Sequence, residues 1–193
     1  QIRSSQPLDV PGDRQAWQRA LRELRPVPAV AQRVTQVFDE HLRGQPYVGV
    51  MARTHAISHE ITLRDSPLQW YLDRMSEVRR ELPSTTFYVC ADTLETERAL
   101  VSAFPGSVAL GDKGPYNSKQ ALQASVVDLY LLASSTHLIG AHYSSFPELA
   151  QYLGGSSLRL QTSQSPAESD FDPATPREMV IDPTRPSHRR VMG

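Results

Sequence analysis

Disulfide bonds within the chain are excluded, because the 193-residue sequence contains a single cysteine, Cys90. An excess of charge of one sign is also lacking: the formal net charge is −1, so neither a nucleic acid nor an anionic membrane surface is expected as a partner. Apolar runs of about 18 residues, the length of a membrane-spanning helix, are missing, and no signal peptide is recognisable. A lone thiol within an apolar run favours a reducing compartment, so we expect a cytoplasmic protein.

The composition supports one ordinary hydrophobic core. Hydrophobic residues make up 39% of the chain and aromatic residues 7%, which suffices for one domain. Residues 1–26 are predicted to form an irregular segment with a short helix, residues 27–163 the folded domain, and residues 164–193 a polar, proline-containing tail. Because the first residue is Gln1 and not methionine, the chain is interpreted as a fragment, a processed product or an incomplete sequence.

Helical and extended patterns alternate through the middle of the chain. Apolar residues recur at helical spacing within residues 30–42, 67–81, 94–104 and 121–133, and again after residue 145. Short apolar runs lie between them, at residues 47–53, 86–91, 107–110 and 137–141. Strands without polar alternation are typical of a sheet that is buried on both faces. This order predicts an α/β fold, a Rossmann-like doubly wound parallel sheet with right-handed crossovers.

The last of these strands leads directly into a helix that has two serines at its start. Ser145 and Glu148 have the spacing of a capping box, and Pro147 falls in the first turn, where its missing N–H costs nothing. Free amides, two hydroxyls and the positive end of the helix dipole meet at Ser144 and Ser145, which favours an anion such as phosphate. In the alternative interpretation, Ser145 only caps the helix and Ser144 only fills a turn.

Polar residues follow the strands at positions that a parallel sheet brings to one edge. Arg53 follows the first strand, Asp92 follows the second, and the serine pair follows the last. Ligands of such sheets bind outside the carboxyl ends of the strands, and a guanidinium that faces a helix N-terminus suits a diphosphate. In the alternative interpretation, Arg53 is a salt-bridged surface residue and Asp92 is the N-cap of the next helix.

Three segments resemble the motifs of the fucosyltransferase superfamily, which includes the protein O-fucosyltransferases and the α1,6-fucosyltransferases. They are, in order, Val48–Arg53, Phe87–Asp92, and Asp128–Leu132 leading to Ile139–Phe146. The resemblance covers residues 27–155. It implies the GT-B fold, in which two Rossmann-like halves enclose the active site. The chain is similar to the second, GDP-fucose-binding half, and the first half, which supplies much of the acceptor surface, has no counterpart in it.

The resemblance also implies a role for each matched position. Arg53 is similar to the essential arginine that holds the β-phosphate and stabilises the leaving GDP, so the resemblance implies that Arg53 is the catalytic residue. Asp128 is similar to the aspartate that contacts the guanine, and Asp92 to the acid that follows the second strand. The donor-binding residues that the resemblance implies are Asp92, Asp128, Ser144, Ser145 and Phe146.

The implied activity is inverting glycosyl transfer that needs neither a metal ion nor a cofactor. Fucose would pass from a GDP-sugar to a hydroxyl of a glycan, protein or small-molecule acceptor, with a missing N-terminal domain or an oligomer partner completing the protein. Met51 stands where the family usually has histidine, and methionine cannot make the polar nucleotide contact of histidine. The alternatives are a non-catalytic module that binds a nucleotide or a partner protein, and a phosphate-binding enzyme with unrelated chemistry.

A metal site is also considered for the histidine-rich segment at residues 54–66. His55 and His59 lie four residues apart, which is the spacing of two zinc ligands on one helix. The segment follows a strand as a predicted loop, and no third ligand is evident. We therefore expect no metal, and interpret this loop as shaping the acceptor side of the cleft.

Overall fold

The computed structural model describes residues 14–111, 113–115, 117–166, 179–188 and 190–191. The helices are α1 (Arg14–Arg22), α2 (Pro28–His41), α3 (Glu60–Asp65), α4 (Leu68–Glu81), α5 (Leu94–Ala103), α6 (Lys119–Ala133) and α7 (Ser145–Gly154). The strands are β1 (Tyr47–Ala52), β2 (Thr86–Ala91), β3 (His137–Gly140), β4 (Arg159–Gln161), β5 (Met179–Val180) and β6 (Arg190–Val191). Within these ranges, no helix has both the length and the hydropathy that crossing a membrane requires.

Four parallel strands form the main sheet, in the order β2-β1-β3-β4. The central strand is β1, in which Val50 pairs with Val89 of β2 on one side and with Ile139 of β3 on the other. The pair Leu138–Leu160 joins β3 to β4. The chain therefore builds outward from β1 in one direction and later in the other, so the strand order reverses between β1 and β3.

Helices cover the sheet in two groups. The helices α1, α2, α6 and α7 form a continuous group in which α6 packs on both α2 and α7, whereas α4 packs on α5. Right-handed crossovers place the helices that lead toward β2 and those that lead toward β3 and β4 on opposite faces. All six residues of β1 are buried between them, as expected for the central strand of such a sheet.

The apolar stripe of α2 shows how the sequence pattern becomes core. Its inward positions Val30, Val34, Val37 and Phe38 recur at helical spacing and are all buried. Pro28 begins the helix at a position where a missing N–H breaks no hydrogen bond. The predicted α/β class and parallel sheet are confirmed.

Two details of the sheet differ from the sequence expectations. The predicted strand at residues 107–110 is wrong, because Val108 makes only an isolated parallel bridge to Tyr88. Gly106 before it and Gly111 after it both adopt positive φ, so the chain turns at both ends and too few residues remain for a ladder. Strand β4 escapes prediction, because its three residues include only one apolar side chain, Leu160.

Part of the predicted tail lies against the domain. Ile181 packs on the core, and the hydroxyl of Ser187 donates a 3.4 Å hydrogen bond to the carbonyl oxygen of Arg22. The strands β5 and β6 pair with each other in antiparallel fashion. Residues 1–13 and 167–178, which belong to the predicted N-terminal segment and tail, lie outside the described residues.

The last residue of β3, Gly140, sets how closely α7 approaches the sheet. A Cβ atom at this position would lie 2.5 Å from Cβ of Pro147 and 2.8 Å from a methyl carbon of Leu160. Since carbon atoms do not pack that closely, the first turn of α7 can lie against the end of β3 only because residue 140 is glycine. The N-terminus of α7 is thereby held at the carboxyl edge of the sheet.

Replacing Gly140 by alanine is expected to lower the free energy of unfolding by about 1–3 kcal/mol, the usual cost of overpacking, because the first turn of α7 must shift. The measurement is the urea midpoint of equilibrium unfolding, followed by circular dichroism. Ser156→Ala, at an exposed turn position, is the control and should change the stability by less than about 0.5 kcal/mol. An unchanged midpoint for Gly140→Ala would contradict this account of the packing.

Candidate functional site

Arg53 follows the last residue of β1 directly, and a single nitrogen anchors its side chain. Its Nε atom lies 3.4 Å from the hydroxyl oxygen of Ser58 and 3.8 Å from Oδ2 of Asp92. The two terminal nitrogens make no hydrogen bond or ion pair with the part of the chain that the structure describes, and the side chain is 36% exposed. The two-pronged donor edge of the guanidinium is therefore available for an anion.

Asp92 fixes the loop that carries Arg53. Its carboxylate accepts hydrogen bonds from the backbone N–H of Thr54 at 2.8 Å and of His55 at 3.2 Å, and from the hydroxyl of Ser58 at 3.1 Å. These bonds join the end of β2 to the loop after β1. Asp92 thus holds the arginine both through its charge and through the loop backbone, while its contact with a donor stays a prediction.

The alternative role of Asp92 as a helix cap is wrong. Thr93 is the N-cap of α5, and its hydroxyl accepts a 3.2 Å hydrogen bond from the N–H of Thr96. Because the threonine hydroxyl satisfies the free N–H of the first turn, the carboxylate of Asp92 is not needed as a cap and is available to hold the loop that carries Arg53.

The structure also corrects the predicted start of α7. The helix begins at Ser145 with Ser144 as its N-cap, so the predicted capping box at Ser145 is wrong. Ser144 makes no capping hydrogen bond, is only 7% exposed, and its hydroxyl has no hydrogen-bond partner among the described residues. Ser145 is exposed, and Pro147 removes one N–H from the first turn.

An unpaired buried hydroxyl at a helix N-terminus is a specific chemical feature. The first N–H groups of a helix have no partner within the helix, and the dipole of a ten-residue helix makes that end positive. A buried polar atom without a partner costs free energy, so such atoms in native proteins call for a ligand or a water molecule. The start of α7 therefore offers hydroxyl and amide donors to an anion.

The loops after β1 and β3 are bonded to each other at this edge. The hydroxyl of Thr62 donates to the carbonyl oxygen of Tyr143 at 3.1 Å, and the N–H of His142 donates to the hydroxyl of Ser66 at 2.9 Å. Tyr143 has a φ of 56°, a left-handed conformation that is strained for an aromatic residue. The structure thus brings the loops that carry Arg53 and Ser144 together at the carboxyl ends of two adjacent strands.

Asp128 lies apart from this corner, in a buried charged cluster of Tyr88, Glu97, Lys113 and Asp128, which we call the Lys113 cluster. The hydroxyl of Tyr88 donates to Oδ1 of Asp128 at 2.7 Å. The ammonium of Lys113 lies 2.9 Å from Oδ2 of Asp128 and 2.6 Å from Oε2 of Glu97. The sequence does not reveal this cluster, because Lys113 is in an irregular loop and Glu97 is in the middle of an ordinary helical pattern.

Burial governs the protonation behaviour of the Lys113 cluster. Burial raises the pKa of Asp128, and the ammonium of Lys113 and the hydroxyl of Tyr88 offset only part of that rise. Burial also works to lower the pKa of Lys113, but the carboxylates of Asp128 and Glu97 outweigh it and the pKa rises. The lysine is therefore charged at neutral pH and is the cation that balances the buried carboxylates.

The remaining positions divide between the site and the core. Phe146, in the first turn of α7, is half-buried and packs against the core. Met51 is a buried member of the core cluster, so its side chain lies among apolar neighbours. The contacts of the donor-binding set with a nucleotide sugar stay predictions.

The two histidines of the 54–66 segment do not share a helix face. The helix α3 begins after His59, whose Nδ1 accepts a 3.2 Å hydrogen bond from the N–H of Ile61 as the N-cap. Nδ1 of His55 accepts a 3.2 Å bond from the N–H of Ile57 in the preceding loop. The rings of His59 and Tyr143 stack at 4.7 Å between centroids, which adds a further link between the two loops.

Comparison with protein-family models and with curated protein sequences finds no match. Solved structures do match. The fucosyltransferase NodZ from Bradyrhizobium aligns with a TM-score of 0.51 at 19% identity, over 72% of this chain and 46% of NodZ. POFUT1 in complex with GDP aligns with a TM-score of 0.53 at 14% identity, over 80% of this chain and 53% of POFUT1. POFUT1 in complex with GDP-fucose aligns with a TM-score of 0.55 at 14% identity, over 79% and 50%.

A parallel sheet whose strand order reverses between β1 and β3 defines an open α/β domain, a class in which ligands bind at such a reversal. The particular fold is the fucosyltransferase-like fold, as the resemblance of the sequence motifs predicts. The chain spans about half the length of the structures it matches.

Replacing Asp92 by asparagine is expected to lower the free energy of unfolding by about 1–3 kcal/mol. An uncharged amide is a weaker acceptor for the three hydrogen bonds, and the negative charge that faces Arg53 is lost. The measurement is again the urea midpoint. Asp73→Asn, at an exposed position of α4, is the control that changes charge without disturbing a loop. Equal effects of the two substitutions would refute the positioning role of Asp92.

Proposed function

We propose that the chain is the donor-binding part of a metal-independent inverting glycosyltransferase, which transfers fucose from GDP-fucose to an acceptor hydroxyl. The observation that carries the proposal is that each of the two loops that leave the sheet at the reversal of strand order carries an unsatisfied donor group. The terminal nitrogens of Arg53 lack partners among the described residues, and so does the buried hydroxyl of Ser144. Ligands of open α/β sheets bind at this point.

A diphosphate suits the chemistry of this corner. The guanidinium supplies planar, two-pronged donation and a full charge, and the start of α7 supplies amide and hydroxyl donors. Both are held in place before a ligand arrives, Arg53 by Asp92 and the helix start by the close approach at Gly140. Preorganised donors of this kind stabilise charge without a reorganisation cost when that charge develops.

The proposed reaction places the developing charge at the same corner. The oxygen of an acceptor hydroxyl bonds to the anomeric carbon of the sugar, the bond from that carbon to the β-phosphate oxygen breaks, and GDP leaves with the electron pair. The hydroxyl proton passes to a base or to solvent. In the proposed arrangement Arg53 and the first amides of α7 bind the β-phosphate, so their interaction strengthens as the negative charge grows.

The similar structures support the choice of donor. POFUT1 has been crystallised in complex with GDP and with GDP-fucose, and its fold matches this chain over about half of its length. The nucleotide is the part of the donor that a single half of the fold would hold. The acceptor and the transfer reaction require further protein, from a longer chain or from a partner.

A non-catalytic nucleotide-binding module is the second candidate, and Met51 favours it. This position usually carries histidine in the fucosyltransferase motif, whereas here the side chain is buried in the core. Such a module would keep the diphosphate corner and lack turnover. Release of fucose from GDP-fucose, measured with the longest available form of the polypeptide, separates the two candidates, since a binding module would leave the donor intact.

GDP is expected to raise the melting temperature of the protein, and Arg53→Ala is expected to abolish most of that shift. Loss of a hydrogen-bonded charge pair with the diphosphate should weaken binding by about 2 kcal/mol, or roughly thirty-fold in Kd. Ser144→Ala should weaken it less, since a neutral hydroxyl is lost. Differential scanning fluorimetry and isothermal titration calorimetry measure the two quantities.

The control is Arg80→Ala, which removes an exposed arginine from the end of α4 and should leave the GDP shift unchanged. Adenosine and uridine diphosphates serve as competing ligands. Failure of every nucleoside diphosphate to shift the melting temperature of the unsubstituted protein would rule out the proposed donor site.

A further inference from the structure

Tyr143 presents an aromatic ring to solvent from a backbone conformation that does not favour it. Its φ of 56° is left-handed, a region that asparagine adopts readily, as Asn117 does in this chain with a φ of 59°. The residue is 44% exposed, so burial in the core does not explain why tyrosine occupies this position. Strained conformations of this kind are concentrated at binding and catalytic sites. The ring at position 143 therefore calls for a role outside the core.

Contacts from the loop after β1 hold this ring in place. The hydroxyl of Thr62 donates a 3.1 Å hydrogen bond to the carbonyl oxygen of Tyr143, and the centroids of the Tyr143 and His59 rings lie 4.7 Å apart. The planes of the two rings are inclined at 51°, and both residues remain exposed. An exposed aromatic surface is thus fixed before a ligand arrives, which lowers the entropy cost of binding.

The imidazole of His59 adds a hydrogen-bond donor beside that surface. Its Nδ1 accepts the 3.2 Å hydrogen bond from the N–H of Ile61 at the start of α3. A neutral imidazole carries one proton, so this bond places the proton on Nε2. Nε2 makes no hydrogen bond with the part of the chain that the structure describes. The neutral ring therefore offers an N–H group next to the face of Tyr143.

These two groups match the two kinds of surface on a sugar ring. A pyranose has a face of C–H groups, which are weakly positive, and hydroxyls around its edge. The negative face of an aromatic ring attracts the C–H groups, and an N–H group donates to a hydroxyl oxygen. Neither Tyr143 nor neutral His59 carries a full charge, which suits an uncharged ligand better than a second anion.

The aromatic pair adjoins the proposed diphosphate corner. Tyr143 directly precedes Ser144, so their Cα atoms are about 3.8 Å apart. His59 follows Ser58, which ties the Arg53 loop to Asp92. In the proposed reaction the acceptor oxygen attacks the carbon that is bonded to the β-phosphate oxygen, so the acceptor must lie beside this corner. A sugar ring held against Tyr143 lies next to that position.

We propose that Tyr143 and His59 form an acceptor subsite for a pyranose ring. The C–H face of the sugar packs on Tyr143, and Nε2–H of His59 donates to one of its hydroxyls. The inference rests on the proposed function, and it narrows the acceptor to a glycan or glycoside. A protein acceptor without a sugar would leave the aromatic pair without a ligand.

The test titrates the full chain, with and without GDP, with lactose, maltose and N,N′-diacetylchitobiose, and follows the NMR chemical shifts of the protein amides. At least one disaccharide is expected to bind with a Kd of roughly 1–10 mM. Tyr143→Asn should weaken this binding about tenfold, because the aromatic face is lost, whereas Tyr143→Phe should retain it. Saturation-transfer NMR should show the strongest contact at C–H protons on one face of the sugar.

The melting temperature separates recognition from folding. Tyr143→Asn is expected to melt at the same temperature as the unsubstituted protein or higher, since asparagine relieves the strain of the left-handed backbone. A purely structural role for the ring would instead lower the melting temperature of Tyr143→Asn and leave its sugar affinity unchanged. That pair of results would overturn the inference.

His59→Asn tests the second contact and has a matched control. Asparagine is among the best N-caps, so α3 keeps its cap while the imidazole N–H is lost. This variant should weaken disaccharide binding about fivefold, the usual effect of one hydrogen bond. His41→Asn replaces an exposed histidine at the end of α2 and should leave the sugar affinity unchanged.

Two comparisons separate failure of this inference from failure of the proposed function. Tyr143→Asn should change the affinities for GDP and GDP-fucose by the same factor, and a selective loss for GDP-fucose would assign the ring to the donor sugar and overturn the acceptor subsite. Binding of GDP without binding of any of the three disaccharides overturns the subsite and leaves the donor site standing. Absence of GDP binding overturns the donor site and the acceptor role together.

Discussion

The parallel pairing of β1 with β3 is the constraint on which the rest of the structure depends. It runs from Val48–His137 to Met51–Gly140 and makes neighbours of two segments that are almost 90 residues apart in sequence. The two strands leave the sheet side by side, β1 toward Arg53 and β3 toward Ser144. Small residues make this possible: a Cβ at Gly49 would lie 3.0 Å from a methyl carbon of Leu132, so α6 can pack this closely against the centre of β1 only over a glycine.

Two cations in this domain are held in opposite ways. Arg53 is steered through its Nε atom by one carboxylate and keeps its terminal nitrogens open, whereas Lys113 lies between two buried carboxylates. The first arrangement leaves strong donor groups for an incoming anion, while the second fixes a donor beside acceptors.

The sequence predicts the helices and long strands well, because their apolar spacing is itself the packing pattern of the core. Arg53 and Asp92 could be placed from it, since both directly follow strands whose ends a parallel sheet aligns. The Lys113 cluster could not be predicted from the sequence, because its members come from a strand, two helices and an irregular loop. The local sequence around Glu97 and Lys113 is also the same as that expected for solvent-exposed charged residues. The predicted N-cap of α7, Ser145, lies one residue after the observed N-cap, Ser144, because the capping-box pattern does not take into account the left-handed backbone at Tyr143.

The two edges of the main sheet have one more consequence. Strand β4 has only three residues and begins at the exposed Arg159, and the opposite edge carries a single bridge at Val108 between two glycine turns. Short, interrupted or charged edges are poor templates for a strand from another molecule, and they protect a sheet against aggregation. Any association with further protein is thereby steered away from the lateral edges and toward the helix surfaces and the loop-bearing rim.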